Sequence, residues 1–89
     1  MEIIKFREYK KNTLQGFVDI QLTSGIILRE FTYHVRNGSE WVNPPARAYK
    51  DNDGVEKWAR IVDFAAKEMY QNFSRQVVKL LKEYTKVLS

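Results

Sequence analysis

The chain contains no cysteine and only one histidine, His34. Without cysteine it has no disulfide, no thiolate metal site and no thiol nucleophile, and a single histidine leaves few ways to build a nucleophile–base pair. Residues 51–54 (Asp-Asn-Asp-Gly) resemble the opening of a calcium loop, but the later acidic ligands are missing, so a plain turn is the better interpretation. A carboxylate-only site, such as Asp19 with Glu30, is the remaining catalytic alternative. We expect no enzyme, no cofactor and no metal site.

Long apolar runs are also missing. No stretch of about 18 apolar residues is present, and the chain does not open on a charged segment followed by an apolar leader. We therefore expect a cytoplasmic protein without membrane contact. The 89 residues suffice for a single domain, residues 1–89, around one core. Domains of this size often gain stability by association, so we also expect a homodimer.

The charge is positive and unevenly distributed. The net charge is +4 and the sequence pI is near 9.4. Residues 1–50 carry eight basic and five acidic side chains, residues 51–64 two and four, and residues 65–89 five and two. A basic surface favours polyanions, and nucleic acid is the first candidate.

The segment 65–88 predicts one long helix without glycine or proline. Its apolar residues recur at intervals of four and three, which keeps one helix face apolar: Ala66, Tyr70, Phe73, Val77, Leu80, Tyr84 and Val87, widened by Met69, Leu81 and Leu88. Basic residues recur on the opposite side: Arg75, Lys79, Lys82 and Lys86. A rod of this kind needs a cover for its apolar face.

Everything before the helix predicts antiparallel strands. The expected strands are 3–9, 16–22, 26–36, 40–43 and 55–63, and the third is long enough to contain a bulge. Asn37-Gly38 predicts a type I′ hairpin turn, because both residues tolerate positive φ. Pro44-Pro45 ends regular pairing, and residues 46–52 are expected to be irregular. The predicted class is α+β: an antiparallel sheet of four or five strands followed by one long C-terminal helix packed on one face.

A single helix covers one face of a sheet at most, so the other face must either be polar or take part in an interaction. The chain has too many aromatic residues to fit under one helix: Tyr9, Phe17, Tyr33, Trp41, Tyr49 and Trp58. Some of these rings are therefore expected on the open face or at an interface. Stacking on nucleic-acid bases and dimer packing are the two uses that suit them.

The order of several short motifs resembles the SpoVG family of small bacterial regulators. The matching residues are Val35 to Gly38, Trp41-Val42, Pro45-Ala46-Arg47, Asp53-Gly54 and Glu83-Tyr84. The resemblance covers roughly residues 28–84. It implies a small dimer that binds DNA, or RNA, through basic residues of its late loop and helix. Arg47 takes the place of the family's basic residue after the proline, and Lys50 is a looser match.

Cations interleaved with aromatic residues single out the candidate binding residues, because cations neutralise phosphates while rings stack on bases. The candidate phosphate contacts are Arg47, Lys50, Lys57, Arg60, Arg75, Lys79 and Lys82, and the candidate stacking residues are Trp41 and Tyr49. For Trp58 we favour a place in the core over a stacking role. The basic side of the helix has a simpler interpretation as a solvated surface, and its apolar side as a dimer seam or a sheet-packing face.

Two functions remain open from the sequence. The first is a small nucleic-acid-binding protein that acts by phosphate neutralisation and stacking on DNA or RNA. The alternative is a dimeric protein-interaction or scaffolding domain without nucleic-acid binding. Salt dependence separates them, because phosphate contacts make the logarithm of the affinity fall with the logarithm of salt concentration.

Overall fold

The computed structural model describes residues 1–88 of the chain, and the side chains of residues 1–86. Six strands precede one helix in this part of the chain. They are β1 (Glu2–Lys11), β2 (Leu14–Gln21), β3 (Ile27–Arg36), β4 (Ser39–Asn43), β5 (Ala46–Lys50), β6 (Glu56–Arg60) and α1 (Lys67–Leu88). The order of strands followed by one helix confirms the predicted α+β class.

Strands β1 to β4 form one antiparallel sheet in chain order. The turn between β3 and β4 has φ of 51° at Asn37 and 83° at Gly38. Positive φ at both central positions defines the type I′ turn that the sequence predicts. The turn sets Arg36 opposite Ser39 and so fixes the register of β4 against β3.

A bulge interrupts β3 where the sequence predicts one. Val18 pairs with Phe31 but Ile20 pairs with Leu28, so β3 contains an extra residue between them. Glu30 has φ of 63°, a left-handed conformation that is costly for a residue with a side chain. Asp19 on β2 holds the bulge, because its carboxylate accepts the Glu30 N–H at 3.0 Å.

Strands β5 and β6 pair only with each other and form a separate two-stranded ribbon. We call residues 46–60 the arm. The prediction of an irregular segment at 46–52 is wrong for β5, and the predicted fifth strand, 55–63, is shorter and does not join the main sheet. Pro44 and Pro45 offer no N–H to extend β4, but the chain resumes pairing beyond them. The Asp51 carboxylate closes the turn of the arm by accepting the N–H of Asp53 and Val55.

The helix packs on one face of the main sheet, as predicted, and contacts both edge strands, β4 and β1. The core is buried between helix and sheet and consists of Val18, Ile20, Phe31, Val42, Val77, Val78 and Leu81. Ala66 and Met69 are exposed, so the predicted apolar stripe is too wide at its amino-terminal end. The predicted places of Val87 and Leu88 in that stripe lie outside the described side chains.

The helix also closes the outer edge of β4. The hydroxyl of Ser74 accepts the N–H of Val42 at 3.0 Å, and the hydroxyl of Tyr70 donates to the Val42 carbonyl at 2.9 Å. Both polar backbone groups of Val42 are thereby satisfied on the side away from β3. A sheet edge covered in this way is not available for pairing with another strand.

Candidate nucleic-acid interface

The face of the main sheet that the helix does not cover carries a row of side chains across all four strands. The register sets Arg7 against Phe17, Phe17 against Thr32, and Thr32 against Asn43. The neighbours of this row along the strands, among them Val18, point into the core, because side chains alternate between the two faces. We call the surface around this row the open face.

Phe17 is the centre of an aromatic and cationic group on the open face. The guanidinium carbon of Arg7 lies 4.6 Å from the centroid of the Phe17 ring, and the Tyr9 ring lies 6.1 Å from it on the same side of the sheet. Arg7 also approaches Glu30 at 3.6 Å, as an exposed ion pair. A guanidinium lying over a ring offers a flat, charged surface on which a base can stack.

Trp41 lies farther along the open face, stacked on His34. The two ring centroids are 5.4 Å apart and the rings are nearly parallel, with an angle of 8°. Thr13 and Thr32 hydroxyls lie 2.9 Å from the two ring nitrogens of His34 and hold the imidazole in place. Burial lowers the pKa of His34 below its usual value, so the ring is neutral near neutral pH.

The arm and the open face enclose a cleft of about 510 Å³. Its lining residues are Phe17, Glu30, Thr32, Asn43, Pro44, Pro45, Ala46, Trp58 and Arg60. Two aromatic rings, those of Phe17 and Trp58, and the guanidinium of Arg60 therefore border one space. A flat aromatic ligand that carries negative charge suits such a lining, because rings offer stacking and the guanidinium offers bidentate hydrogen bonds.

Trp58 is 68% exposed, so the favoured expectation that it lies in the core is wrong. Among the described residues no layer packs against either face of the arm, and all ten residues of β5 and β6 are exposed. Trp58 belongs instead to the cleft.

Five of the predicted contact residues lie on the arm, divided between its two faces. Because cross-strand partners share a face, Arg47 and Tyr49 lie on the same side as Lys57, while Lys50 lies on the side of Trp58 and Arg60 that borders the cleft. Tyr49 is 44% exposed.

Carboxylates offset part of the arm's positive charge. Lys57 pairs with Asp51 at 3.2 Å, and Arg60 with Asp63 at 3.1 Å. Hydrogen bonds from the backbone and from these partners hold the pKa values of both aspartates below the usual range. Arg47 makes no ion pair with any residue the structure describes.

Two of the predicted contacts on α1, Arg75 and Lys79, lie on the outward side of the helix, across the sheet from the cleft. Arg75 bonds within its own helix, to the Gln71 carbonyl at 3.3 Å and to Asn72 at 3.0 Å. Lys79 is exposed. The structure therefore does not bring the helix cations and the arm cations onto one surface, although Trp41 and Arg75 both line a shallow recess beside β4.

Lys82, the third predicted contact on α1, has a structural partner. Its ammonium lies 2.7 Å from the Glu40 carboxylate, which also accepts the hydroxyl of Tyr33 at 3.1 Å. Burial, together with the Glu40 charge and hydrogen bond, raises the pKa of Tyr33 to about 12. Lys82 thus joins the helix to β3 and β4 at the covered face.

Arg7, Phe17 and Trp58 are the residues of this surface that the sequence-based selection missed. Phe17 had a usable signal, because it shares the parity of Asp19 and not that of Val18 and Ile20. Arg7 had none, since its place over the Phe17 ring depends on the pairing of β1 with β2.

The described residues include no cluster of histidine and acidic side chains that could hold a metal ion. Within the same residues, no helix has both the length and the apolar character needed to cross a membrane.

Comparison of the chain with protein-family models, with curated proteins and with solved structures finds no match. The resemblance to the SpoVG family therefore stays a prediction from short motifs.

Proposed function

We propose that this chain binds single-stranded nucleic acid, DNA or RNA, in the cleft between the arm and the open face. The observation that supports the proposal is the meeting of the Phe17 and Trp58 rings with the Arg60 guanidinium around one space. Bases of a single strand are free to stack on such rings, whereas bases in a duplex are already stacked on each other.

The open face extends the same surface in the direction of the strands. Arg7 widens the flat surface that Phe17 presents at the cleft, and Trp41 with His34 offers another flat surface outside it. A strand that enters the cleft would continue over one of them. Recognition of this kind is tolerant of sequence, because every base has a flat face.

Phosphate contacts fall to the arm, where Lys50 and Arg60 share the side that borders the cleft and Arg47 lies on the other side. With two such contacts, the slope of log affinity against log salt is about −1.4, taking about −0.7 per contact for a single strand. This salt dependence is weaker than a surface made mainly of lysines and arginines would give, so stacking carries much of the affinity.

The test is a fluorescence titration of a short labelled single strand at low and moderate salt. Trp58→Ala should weaken binding by roughly 5- to 150-fold, the range for the loss of one stacked base, and Trp58→Phe should retain most of the affinity. Arg60→Gln should reduce the salt slope by about 0.7. Lys79→Ala is the matched control, because Lys79 is an exposed cation on the far side of the sheet, and this change should leave the affinity within about twofold.

The proposal fails if the wild-type chain does not bind a single strand at low salt, and the protein-interaction alternative gains if a duplex does not bind either. Equal losses for Trp58→Ala and Lys79→Ala would also contradict the cleft as the site. Membership of the SpoVG family is a separate proposal on which this experiment does not depend.

A further inference from the structure

The arm has a free outer edge on β6. Just beyond one end of the arm, the Ile61 N–H bonds to the Pro45 carbonyl at 3.0 Å. At the turn of the arm, the Asp51 N–H bonds to the Val55 carbonyl at 3.1 Å. Since hydrogen-bonded pairs alternate along an antiparallel ladder and the register here has no shift, residues 55, 57, 59 and 61 direct their backbone groups toward β5. Glu56, Trp58 and Arg60 therefore direct their N–H and C=O groups outward, and β6 is the edge of its sheet.

This edge is complementary to itself. If a second copy of β6 lies antiparallel and Trp58 faces its counterpart, Glu56 of each copy lies opposite Arg60 of the other. All outward groups of the three residues then form hydrogen bonds across the two-fold axis. The same register provides one pair of facing tryptophans and two pairs of opposite charge.

The charged groups of Glu56 and Arg60 are available for this pairing. Glu56 has no ion pair among the described residues, and the present partner of Arg60, Asp63, is an exposed neighbour in sequence at 3.1 Å. An exposed ion pair of this kind contributes little, so exchanging it for a cross-strand partner costs little.

Other edges are less suitable. The helix closes the β4 edge at Val42 through Ser74 and Tyr70. The β1 edge is interrupted by register shifts near both of its ends. The outward positions of β5 are Ala46, Ala48 and Lys50, which offer no pair of opposite charges.

The isolation of the arm gives a second reason for pairing. A lone two-stranded ribbon is marginally stable in water, and this one exposes apolar side chains, with Val55 at 54%, Trp58 at 68% and Ile61 at 64%. Joining two arms edge to edge makes a four-stranded sheet.

We propose that β6 pairs antiparallel with β6 of a second copy of this chain, in the register centred on Trp58. Trp58 and Arg60 also border the cleft, but this dimer is argued from the β6 edge alone and does not require a nucleic acid.

A charge exchange across the edge tests the register. Glu56→Arg places like charges opposite each other at two symmetric positions, and sedimentation equilibrium should show the dimer dissociation constant rise at least about tenfold. Arg60→Glu should act in the same direction. The double variant restores both pairs with the signs reversed, and its dissociation constant should return to within about threefold of wild type. Arg47→Glu is the matched control for Arg60→Glu. It makes the same change of charge on the other face of the arm and should leave the dimer intact.

Amide hydrogen exchange on the wild-type chain needs no variant and gives an independent readout. The amides of Glu56, Trp58 and Arg60 should gain protection as protein concentration rises, while the outward β5 amides of Ala46, Ala48 and Lys50 should exchange quickly throughout. A chain that stays monomeric up to about millimolar concentration overturns the proposal. A dimer that is insensitive to Glu56→Arg, or one in which the β6 amides gain no protection, overturns it as well, since another surface must then form the dimer.

Discussion

The side-chain hydroxyl of Ser74 accepts a hydrogen bond from the backbone N–H of Val42, at 3.0 Å. Both residues are buried, with Ser74 at 5% and Val42 at 0% exposure. A serine in the middle of a predicted apolar helix face thus has a defined role, because it satisfies the edge strand on which the helix packs.

Replacing Ser74 by Ala should lower the free energy of unfolding by about 1–3 kcal/mol, because the Val42 N–H is then buried without a partner. Urea unfolding monitored by circular dichroism measures the effect. Thr85→Ala is the control, since that hydroxyl bonds only to the Lys82 carbonyl of its own helix, and a change within about 0.5 kcal/mol is expected there. Equal effects for the two variants would contradict a special role for the edge contact.

The bulge of β3 depends on Asp19. Its two carboxylate oxygens accept the Glu30 N–H at 3.0 Å and the Arg29 guanidinium at 3.1 Å, and the residue is 8% exposed. Asp19→Ala should cost roughly 2–3 kcal/mol of unfolding free energy, because it removes a charged acceptor and leaves the partly buried Glu30 N–H unpaired.

Asp19→Asn should cost less than Asp19→Ala, because its amide oxygen still accepts the Glu30 N–H. Glu30→Gly should be better tolerated than Glu30→Val, since φ of 63° suits glycine and penalises a β-branched side chain. Thermal unfolding of the four variants ranks them. If Asp19→Ala were as stable as wild type, the Asp19 carboxylate would not be what stabilises the bulge.

The single histidine predicts a pH dependence of stability. Burial lowers the pKa of His34 in the folded chain below its usual value of 6.5. As the pH falls below 6.5, the unfolded chain takes up the proton first, so the unfolded state binds more protons and the free energy of unfolding decreases. Well above 6.5 the ring is neutral in both states and makes no contribution to the pH dependence.

Urea unfolding at about pH 7.5 and about pH 5 should therefore show a loss of stability that is smaller in His34→Gln. The imidazole NMR signal, the only one in the chain, gives the folded pKa directly. A measured pKa above 6.5 would reverse the sign of the prediction.

Gly16 lies against β1 with no room for a side chain. A Cβ atom at this position would lie 2.6 Å from the Arg7 carbonyl oxygen and 2.7 Å from the Phe6 ring. Gly16→Ala should therefore lower the unfolding free energy by about 1–3 kcal/mol, because the backbone of β1 must shift. Ser24→Ala, in an exposed turn, is the control and should have an effect within about 0.5 kcal/mol in the same denaturant series.

The candidate site was predictable only in parts. The interleaving of cations and aromatic residues directed attention to residues 47–60, which lie in the arm. It did not separate the arm from the helix, and Arg75 and Lys79 lie on the other side of the sheet. Charge patterns carry no information about which side of a sheet a segment occupies.

Trp58 shows the opposite error, because the sequence-based interpretation placed it in the core and the structure places it at the cleft. A large aromatic residue within a predicted strand favours burial, and only the absence of a covering layer among the described residues, a property of the fold, leaves Trp58 exposed. The cleft likewise depends on where the arm lies relative to Phe17, residues about 40 positions apart in the chain.

By itself, the sequence determined the features that depend on a few neighbouring residues: the helix from its period, the first four strands from their patterns, the hairpin from Asn37-Gly38 and the end of β4 from Pro44-Pro45. The tertiary structure alone decided that β6 pairs with β5 and not with the main sheet, that Arg7 lies over Phe17, and that Ser74 meets Val42. Local propensities depend on residues a few positions apart in the chain. These contacts depend instead on which surfaces remain free after the core is packed.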